Sequence, residues 1–311
     1  MKTKKSLLKT SAAAIALLHC INKVIDSKSI AETNTKTNGY FYHWKHGDIY
    51  YKKVGHGDPI LLIHDLTVFS SDYEWSQIIE GLSLHYTVYA LDLIGCGKSD
   101  KPEITYTNYF YVQLISDFVN DVIKEKTKVV ATGLSTSFTV MANYIHKELF
   151  HNVILVNPKS IGQLKKTPDE RSKMLIRLFS LPIIGKTAFY IATNRPNTEY
   201  YLTENCFYNP FNMNGSVLKA YYNAAHMNNG NGKMLLASLD AGYLNIDITN
   251  ALKNTVNEIV IITGQYKENG NEIKNSYLKI NPSIVSDTIS ESKELPQLEN
   301  SEEMLEALFR Y

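Results

Sequence analysis

The chain has 311 residues, of which 44% are hydrophobic, and its 32 basic and 31 acidic side chains leave a formal net charge of +1. This length suits one large α/β domain with an insertion, and the near-zero charge excludes the strongly basic surface that nucleic-acid binding requires. The three cysteines have no paired spacing and no neighbouring histidine at metal-ligand distance. This argues against a disulfide framework, and no cofactor or metal is expected.

The N-terminal segment, residues 1–39, is predicted to lie outside the fold. Lysines at positions 2, 4, 5 and 9 precede an apolar stretch between residues 11 and 25. This arrangement is typical of a signal sequence and falls short of the roughly 20 residues that cross a bilayer. Ser29-Ile30-Ala31 is a candidate cleavage site, and residues 27–39 indicate a linker. The alternatives are an uncleaved anchor or an amphipathic helix that lies on a membrane or on the protein itself. We therefore expect export or membrane association through residues 5–25, with a cytoplasmic location as the alternative.

From Tyr40 onward, predicted strands alternate with predicted helices. The short segments 41–45 and 49–54 indicate an antiparallel hairpin. Apolar runs of the kind buried in a parallel sheet, together with a later strand, lie at 59–64, 86–92, 129–130, 153–156, 259–262 and 283–289. Apolar residues at helical spacing predict helices at 75–82 and 114–123. Asn300 is the predicted N-cap of a last helix that ends at Arg310. This order predicts an open, mostly parallel sheet of the α/β class.

Residues 160–245 interrupt this alternation. They are helical or irregular in pattern, rich in tyrosine, and follow the sixth predicted strand. We therefore predict three parts: an N-terminal segment and linker at 1–39, an α/β core formed by 40–159 and 246–311, and an inserted helical cap at 160–245 that covers a pocket.

Four segments carry a resemblance that spans nearly the whole chain after residue 40. They are the strand that ends at His64, the Asp-x-x-Gly-x-Gly-x-Ser stretch from Asp92 to Ser99, the Gly133-x-Ser135 turn, and the Leu-Pro-Gln-Leu-Glu segment from Leu295 to Glu299. In this order and spacing they resemble the α/β-hydrolase superfamily of the capped, AB hydrolase-1 type. The resemblance implies an eight-stranded, mostly parallel sheet flanked by helices, with an inserted helical cap.

The resemblance also implies a nucleophile elbow at residues 133–137, a strand–turn–helix that would project Ser135 toward a substrate. The backbone N–H of Thr136 would be one oxyanion donor, and a second would come from the loop after His64, around Asp65 or Leu66. Asp65 departs from the glycine usual in the family, because a carboxylate there repels a developing oxyanion unless it is turned away.

The positions of the catalytic acid and base depart further from the family pattern. Lys267 stands where the acid usually follows a strand ending in glycine, and Glu268 beside it is the candidate substitute. Another acid site used by some members holds Asn157. Glu294 occupies the usual histidine position, where a carboxylate with a pKa near 4 is a poor base for a hydroxyl. Residues 227–311 contain no histidine, which leaves His64 or His226 as candidate substitute bases.

Two functions remain open at this point. In the first, the protein is a serine hydrolase that acts on a small ester or acyl compound with Ser135 as nucleophile. In the second, it is a catalytically inactive relative whose capped pocket binds a small apolar ligand or a partner protein. Both predict a small-molecule or protein partner, and neither involves nucleic acid.

Overall fold

The structure, a computed structural model, describes residues 13–27 and 38–311. The N-terminal lysines, the candidate cleavage site at 29–31 and most of the predicted linker lie outside the described residues, so those interpretations stay predictions. Residues 13–27 form a helix, α1.

An eight-stranded sheet forms the centre of the fold, with the spatial order β1-β2-β4-β3-β5-β6-β7-β8. The strands are β1 Tyr40–Trp44, β2 Gly47–Gly55, β3 Asp58–Ile63, β4 Tyr86–Leu91, β5 Thr127–Thr132, β6 Phe150–Val156, β7 Glu258–Gly264 and β8 Val285–Ile289. β2 runs antiparallel to both β1 and β4, and the remaining neighbours are parallel. This confirms the predicted fold class, including the hairpin at one edge.

The central strands are continuous apolar runs because both faces of the sheet are covered. Leu61 and Ile63 of β3 belong to one buried cluster, while Ile60 and Leu62 belong to a second cluster on the opposite face. Successive side chains of a strand point to opposite faces, so a strand with a core on each side needs apolar residues at every position.

Helices flank the sheet and connect its strands. They are α2 Ile79–Ser83, α3 Asn108–Phe118, α4 Ser135–Ile145, α5 Ile161–Leu164, α6 Glu170–Ser180, α7 Pro182–Ala192, α8 Arg195–Tyr200, α9 Gly215–Gly230, α10 Lys233–Asp240, α11 Thr249–Asn254, α12 Gly270–Ile280, α13 Pro296–Glu299 and α14 Ser301–Arg310. Asn300 caps α14 as predicted, because its side chain accepts a hydrogen bond from the N–H of Glu303. The predicted helix at 75–82 is instead a short 3₁₀ turn, Asp72–Trp75, followed by α2. Trp75 still shares a buried cluster with Leu82, so the apolar face survives the interruption.

Helices α5–α11 lie between β6 and β7, in the region where the sequence predicts a cap, and the division into core and cap stays a prediction. A π-helical turn, Tyr201–Cys206, connects to α8 within this region. Leu202 and Tyr221 of the region share a small buried cluster with Leu295, which follows β8. Within the described ranges no single helix is long and apolar enough to cross a membrane; α6 and α7 meet that test only together, and they are bent by 102°.

Candidate functional site

The connection between β5 and α4 turns at Gly133. β5 ends at Thr132, Gly133 has a φ of +55°, and Leu134 already has helical dihedral angles before α4 begins at Ser135. In a strand–turn–helix elbow, the residue in this strained turn is the one that carries the nucleophile. Glycine occupies that position here, so the elbow presents no side chain.

Ser135 lies two residues beyond the turn, and the prediction that it holds the nucleophile position is wrong. Its side chain is fully buried, and its hydroxyl donates a 2.7 Å hydrogen bond to the carbonyl oxygen of His64. Two sequence signals could have identified the correct register. The apolar run of β5 continues directly up to Gly133. The elbow needs a small residue two positions before and two positions after the nucleophile position, and these residues are Ala131 and Ser135.

The carboxylate of Asp65 occupies the pair of backbone amides that would bind an oxyanion. Its Oδ1 accepts 2.7 Å hydrogen bonds from the N–H of Leu66 and from the N–H of Leu134, the residue after the elbow position. A Cβ placed on Gly133 would lie 2.1–2.3 Å from the carboxyl atoms of Asp65. The carboxylate therefore fills the space of a nucleophilic side chain and satisfies both donors.

Two of the predicted oxyanion donors have other partners or positions. The N–H of Asp65 donates to Oε2 of Glu74 at 3.0 Å. Thr136 is fully buried in the first turn of α4, where its hydroxyl donates to the carbonyl oxygen of Gly133 at 2.7 Å. The structure thus replaces Thr136 by Leu134 as the residue whose amide follows the elbow position.

Lys267 and Glu294 form an ion pair in which the two side chains are only 9% and 22% exposed. The sequence places these residues at the acid and histidine positions of the family. Their charges reverse the usual arrangement, with a cation in place of the acid and an anion in place of the base. The ammonium group of Lys267 thus holds the Glu294 carboxylate in an ion pair.

Glu268, the candidate substitute acid, does not join this group. Its side chain is exposed, and it lines a separate surface cavity with Lys267 and Glu272. Glu268 is not among the residues that meet at the elbow, which corrects its prediction as the acid.

Neither candidate histidine is placed to act as a base. His64 is fully buried; its Nε2 accepts from the N–H of Leu93 at 2.9 Å, and its Nδ1 lies 2.7 Å from the carbonyl oxygen of Asp65. His226 lies within α9, where its Nδ1 is 2.8 Å from the carbonyl oxygen of Tyr222 and its ring stacks on that tyrosine. Both imidazoles serve the packing of the fold, which corrects the prediction of a substitute base.

A cavity of about 120 Å³ lies over Gly133. It is lined by Asp65, Glu74, Thr132, Gly133, Lys159, Tyr201, Asn205, Cys206, Tyr221, Glu294 and Leu295. At about 30 Å³ per water molecule, this space holds roughly four waters. The hydroxyl of Tyr221 is buried there without a hydrogen-bond partner among the described residues.

Ionisable side chains and apolar surface both line the cavity, and its charged groups are paired. Lys159 Nζ lies 3.7 Å from Asp65 Oδ2, and this carboxylate raises the pKa of Lys159. Burial raises the pKa of Glu74 to about 7, while its Oε2 accepts from the hydroxyl of Thr132 at 3.1 Å. Burial also raises the pKa of the Cys206 thiol, which keeps it protonated and unreactive. Across residues 13–27 and 38–311, no group of three or more His, Cys, Asp or Glu side chains is arranged to hold a metal ion.

Comparison with known proteins identifies relatives that share this architecture. A family model described as "alpha/beta hydrolase fold" matches residues 58–206. The 2-hydroxy-6-oxo-6-(2'-aminophenyl)hexa-2,4-dienoic acid hydrolase of Metapseudomonas resinovorans is 30% identical over 108 residues, which cover 34% of this chain and 37% of that enzyme. The soluble epoxide hydrolase of Corynebacterium sp. (strain C12) is 26% identical over 131 residues, or 42% of this chain and 43% of that enzyme. The matched regions thus span less than half the length of these curated relatives.

The similarity in structure extends further along the chain. The epoxide hydrolase CorEH superposes with a TM-score of 0.73 at 14% sequence identity, covering 88% of this chain and 98% of that structure. At this level of identity the superposition establishes the fold alone. The hydrolases that share the fold leave open which chemistry, if any, the site around Gly133 supports.

Proposed function

Because the chain belongs to the α/β-hydrolase superfamily, we propose that it is a member that does not hydrolyse esters and that uses the fold as a binding protein. The observation that carries this proposal is glycine at the elbow position with the carboxylate of Asp65 in the space of the missing side chain. A superfamily member without a nucleophile cannot form the covalent intermediate on which ester hydrolysis depends.

The loss of the other catalytic groups supports the same proposal. Asp65 occupies both amides through hydrogen bonds to a charged group, each worth about 1.5–3 kcal/mol. A substrate oxyanion would have to displace this carboxylate and would then meet its repulsion. Glu294 cannot accept and return a proton at neutral pH as an imidazole does. Removal of the base alone from a serine hydrolase costs on the order of a million-fold in rate.

We propose a small ligand that carries polar groups, whereas the sequence analysis predicts a small apolar ligand or a partner protein. The cavity volume of about 120 Å³ is well below the range of typical ligand pockets. Three carboxyl side chains, one lysine and two tyrosines are among its lining residues, and burial of an apolar group against their polar atoms would leave those atoms unsatisfied. The unpartnered hydroxyl of Tyr221 is free to donate to such a ligand.

A fluorophosphonate probe and a panel of nitrophenyl acetate and butyrate test the absence of hydrolysis. We expect neither labelling nor turnover above the uncatalysed rate, and the same result for the wild type and for Ser135→Ala. Labelling that disappears in Ser135→Ala, or that maps to any residue lining the cavity, would restore the serine-hydrolase hypothesis and remove this proposal.

Native mass spectrometry of the gently purified protein tests the binding half of the proposal. We expect a retained small polar molecule whose occupancy falls in Tyr221→Phe. The two side chains differ only in the hydroxyl group, so this variant loses only that hydrogen-bond donor. Tyr243→Phe is the matched control outside the cavity lining. If the protein carries no retained molecule, or if both variants lose it equally, the cavity has no binding role.

A further inference from the structure

Helix α1 lies on α7 with its polar side chains turned toward the protein. Asn22 is only 4% exposed, and its Nδ2 lies 3.1 Å from Thr187 Oγ1 and 3.3 Å from the carbonyl oxygen of Ile183. One turn later, Asp26 forms an ion pair of 2.9 Å with Lys186 and accepts from the hydroxyl of Tyr190. The contacts advance along both helices in the same direction, so α1 runs parallel to α7.

Four apolar side chains of α1 are exposed, while Ile25 packs against the buried core. Ile15, Leu17, Ile21 and Val24 are 46%, 63%, 44% and 56% exposed. A helix that packs on a protein in water has the opposite arrangement, with its apolar side inward and its polar side outward. The outer side of α1 therefore exposes apolar side chains to water, which is the pattern of a surface that binds a partner or a membrane.

Apolar side chains are also exposed on α7 and on α6, the helix that packs against α7. Met174 and Leu178 of α6 are exposed, as are Ile184 and Ile191 of α7 and the connecting Leu181. The outer side of α1 and these five residues together are called the apolar face below. Met174 and Ile191, at 73% and 63% exposed, are among the most exposed large apolar side chains of the described residues.

Basic residues accompany the apolar face. Lysines at positions 2, 4, 5 and 9 precede α1 in the sequence. Arg171 and Arg177 are exposed on α6, the helix that carries Met174 and Leu178. Cations beside an exposed apolar helix are the pattern with which proteins bind the interface of an anionic bilayer.

We propose that the apolar face docks on the surface of an anionic lipid bilayer, with α1 lying in the interface and the α/β core outside it. The charge distribution favours a bilayer over a second copy of the chain. A symmetric dimer would place this face against itself, which would bring the arginines of α6 toward their own copies. The inference is independent of whether the protein hydrolyses esters.

Vesicle flotation of the full chain tests the proposal, with vesicles of phosphatidylcholine alone or mixed with phosphatidylglycerol. We expect binding to the mixed vesicles that weakens in high salt. In Ile21→Glu/Val24→Glu, binding should fall by at least about tenfold, because two charged groups replace apolar surface at the interface. Val256→Glu is the matched control, since this valine is 70% exposed in the connection between α11 and β7. It should bind like the wild type.

A second variant and a second readout separate the whole face from the N-terminal stretch alone. Ile191→Glu lies on α7, outside the N-terminal segment, and should also weaken binding. Cys20 on α1 is exposed whereas Cys96 and Cys206 are buried, so an environment-sensitive dye attached at Cys20 should shift its emission to the blue when vesicles are added.

Several outcomes would overturn the proposal in folded variants verified by circular dichroism. They are no flotation of the wild type with either vesicle, equal loss in Val256→Glu, and undiminished binding of Ile191→Glu. A dimer by light scattering that Ile21→Glu/Val24→Glu abolishes, without vesicle binding, would assign the face to a second copy of the chain instead.

Discussion

At Gly133, the absence of a side chain determines what the neighbouring residues do. Asp65 extends into the vacated space, where two backbone amides hold one carboxylate oxygen and Lys159 lies near the other. In a hydrolase of this fold, two such amides bind the oxyanion that forms only during the reaction. Here the side-chain carboxyl group of Asp65 already occupies them.

The contact between Gly133 and Asp65 predicts strong coupling of their substitutions. Gly133→Ala should lower the free energy of unfolding by about 3 kcal/mol, through a left-handed backbone and displacement of the carboxylate. In an Asp65→Ala background the same change should cost only about 1 kcal/mol, since the displaced group is gone. A double-mutant cycle by urea denaturation measures the difference. Additive effects would contradict the close contact.

Glu74 gives the site a predictable dependence on pH. Its pKa rises from an ordinary value of 4.5 to about 7 because burial disfavours the carboxylate. The folded state thus holds this proton more tightly than the unfolded state, which contributes stability below pH 4.5 that is lost as the pH rises through 7.

Glu74→Gln should remove this dependence and keep an acceptor for the Asp65 amide and the Thr132 hydroxyl. Relative to the wild type, the variant should gain up to about 3 kcal/mol in free energy of unfolding between pH 5 and pH 8. Urea denaturation of both proteins at both pH values measures the gain. A difference between the two proteins that does not change with pH would show that Glu74 titrates normally.

At the scale of elements, Asn157 ties together the ends of two strands and the loop that carries Glu294. Its Nδ2 donates to the carbonyl oxygens of Lys293 and Glu294 at 2.8 and 3.0 Å, and its Oδ1 accepts from the N–H of Gly264 at 3.0 Å. An acid at this position would point an oxygen at two carbonyl oxygens. The side-chain amide of Asn157 therefore forms a structural connection at a position where the resemblance would allow a catalytic acid.

Asn157→Asp should destabilise the protein by about 2–4 kcal/mol, because two buried acceptors lose their donor and face a negative charge. Thermal unfolding at neutral pH measures the effect, and the loss should be smaller at low pH, where the acid regains a donor. Asn250→Asp is the matched control on an exposed helix position and should change stability by no more than about 0.5 kcal/mol. Equal effects at both positions would contradict the role of Asn157.

The elements that the sequence predicted correctly are those whose environment determines their composition. β3 from Ile60 to Ile63 and β6 from Val153 to Val156 are apolar at every position because a core lies on each face of the sheet, and this pattern can be read without a structure. The elbow register was misread because Gly133 and Ser135 satisfy a two-letter pattern in a register displaced by two residues. The positive φ at Gly133 fixes the register of the turn, in agreement with the apolar run of β5 that continues up to this residue. The pairing of Lys267 with Glu294 depends on loops far apart in sequence, so local patterns could not reveal it.

At the scale of the whole molecule, the fold brings three distant positions around one small cavity. Gly133 and Glu294 both line it, and Glu294 pairs with Lys267. The resemblance assigns these positions to the nucleophile, histidine and acid, and this chain has Gly133, Glu294 and Lys267 there. On the proposed function, the scaffold keeps the placement of a catalytic site while other residues occupy it.

Introducing a nucleophile, a histidine and an acid at these positions in one variant should therefore produce reactivity. The variant Asp65→Gly/Gly133→Ser/Lys267→Asp/Glu294→His should react with a fluorophosphonate at position 133, because it regains a nucleophile, a base with its acid, and two unoccupied amides. It should turn over nitrophenyl acetate faster than the butyrate, since the cavity of about 120 Å³ limits the acyl group. The matched control keeps Gly133 and carries the other three substitutions, and it should remain unlabelled. A folded four-site variant that gave no labelling above this control would show that the three positions do not converge as the structure places them.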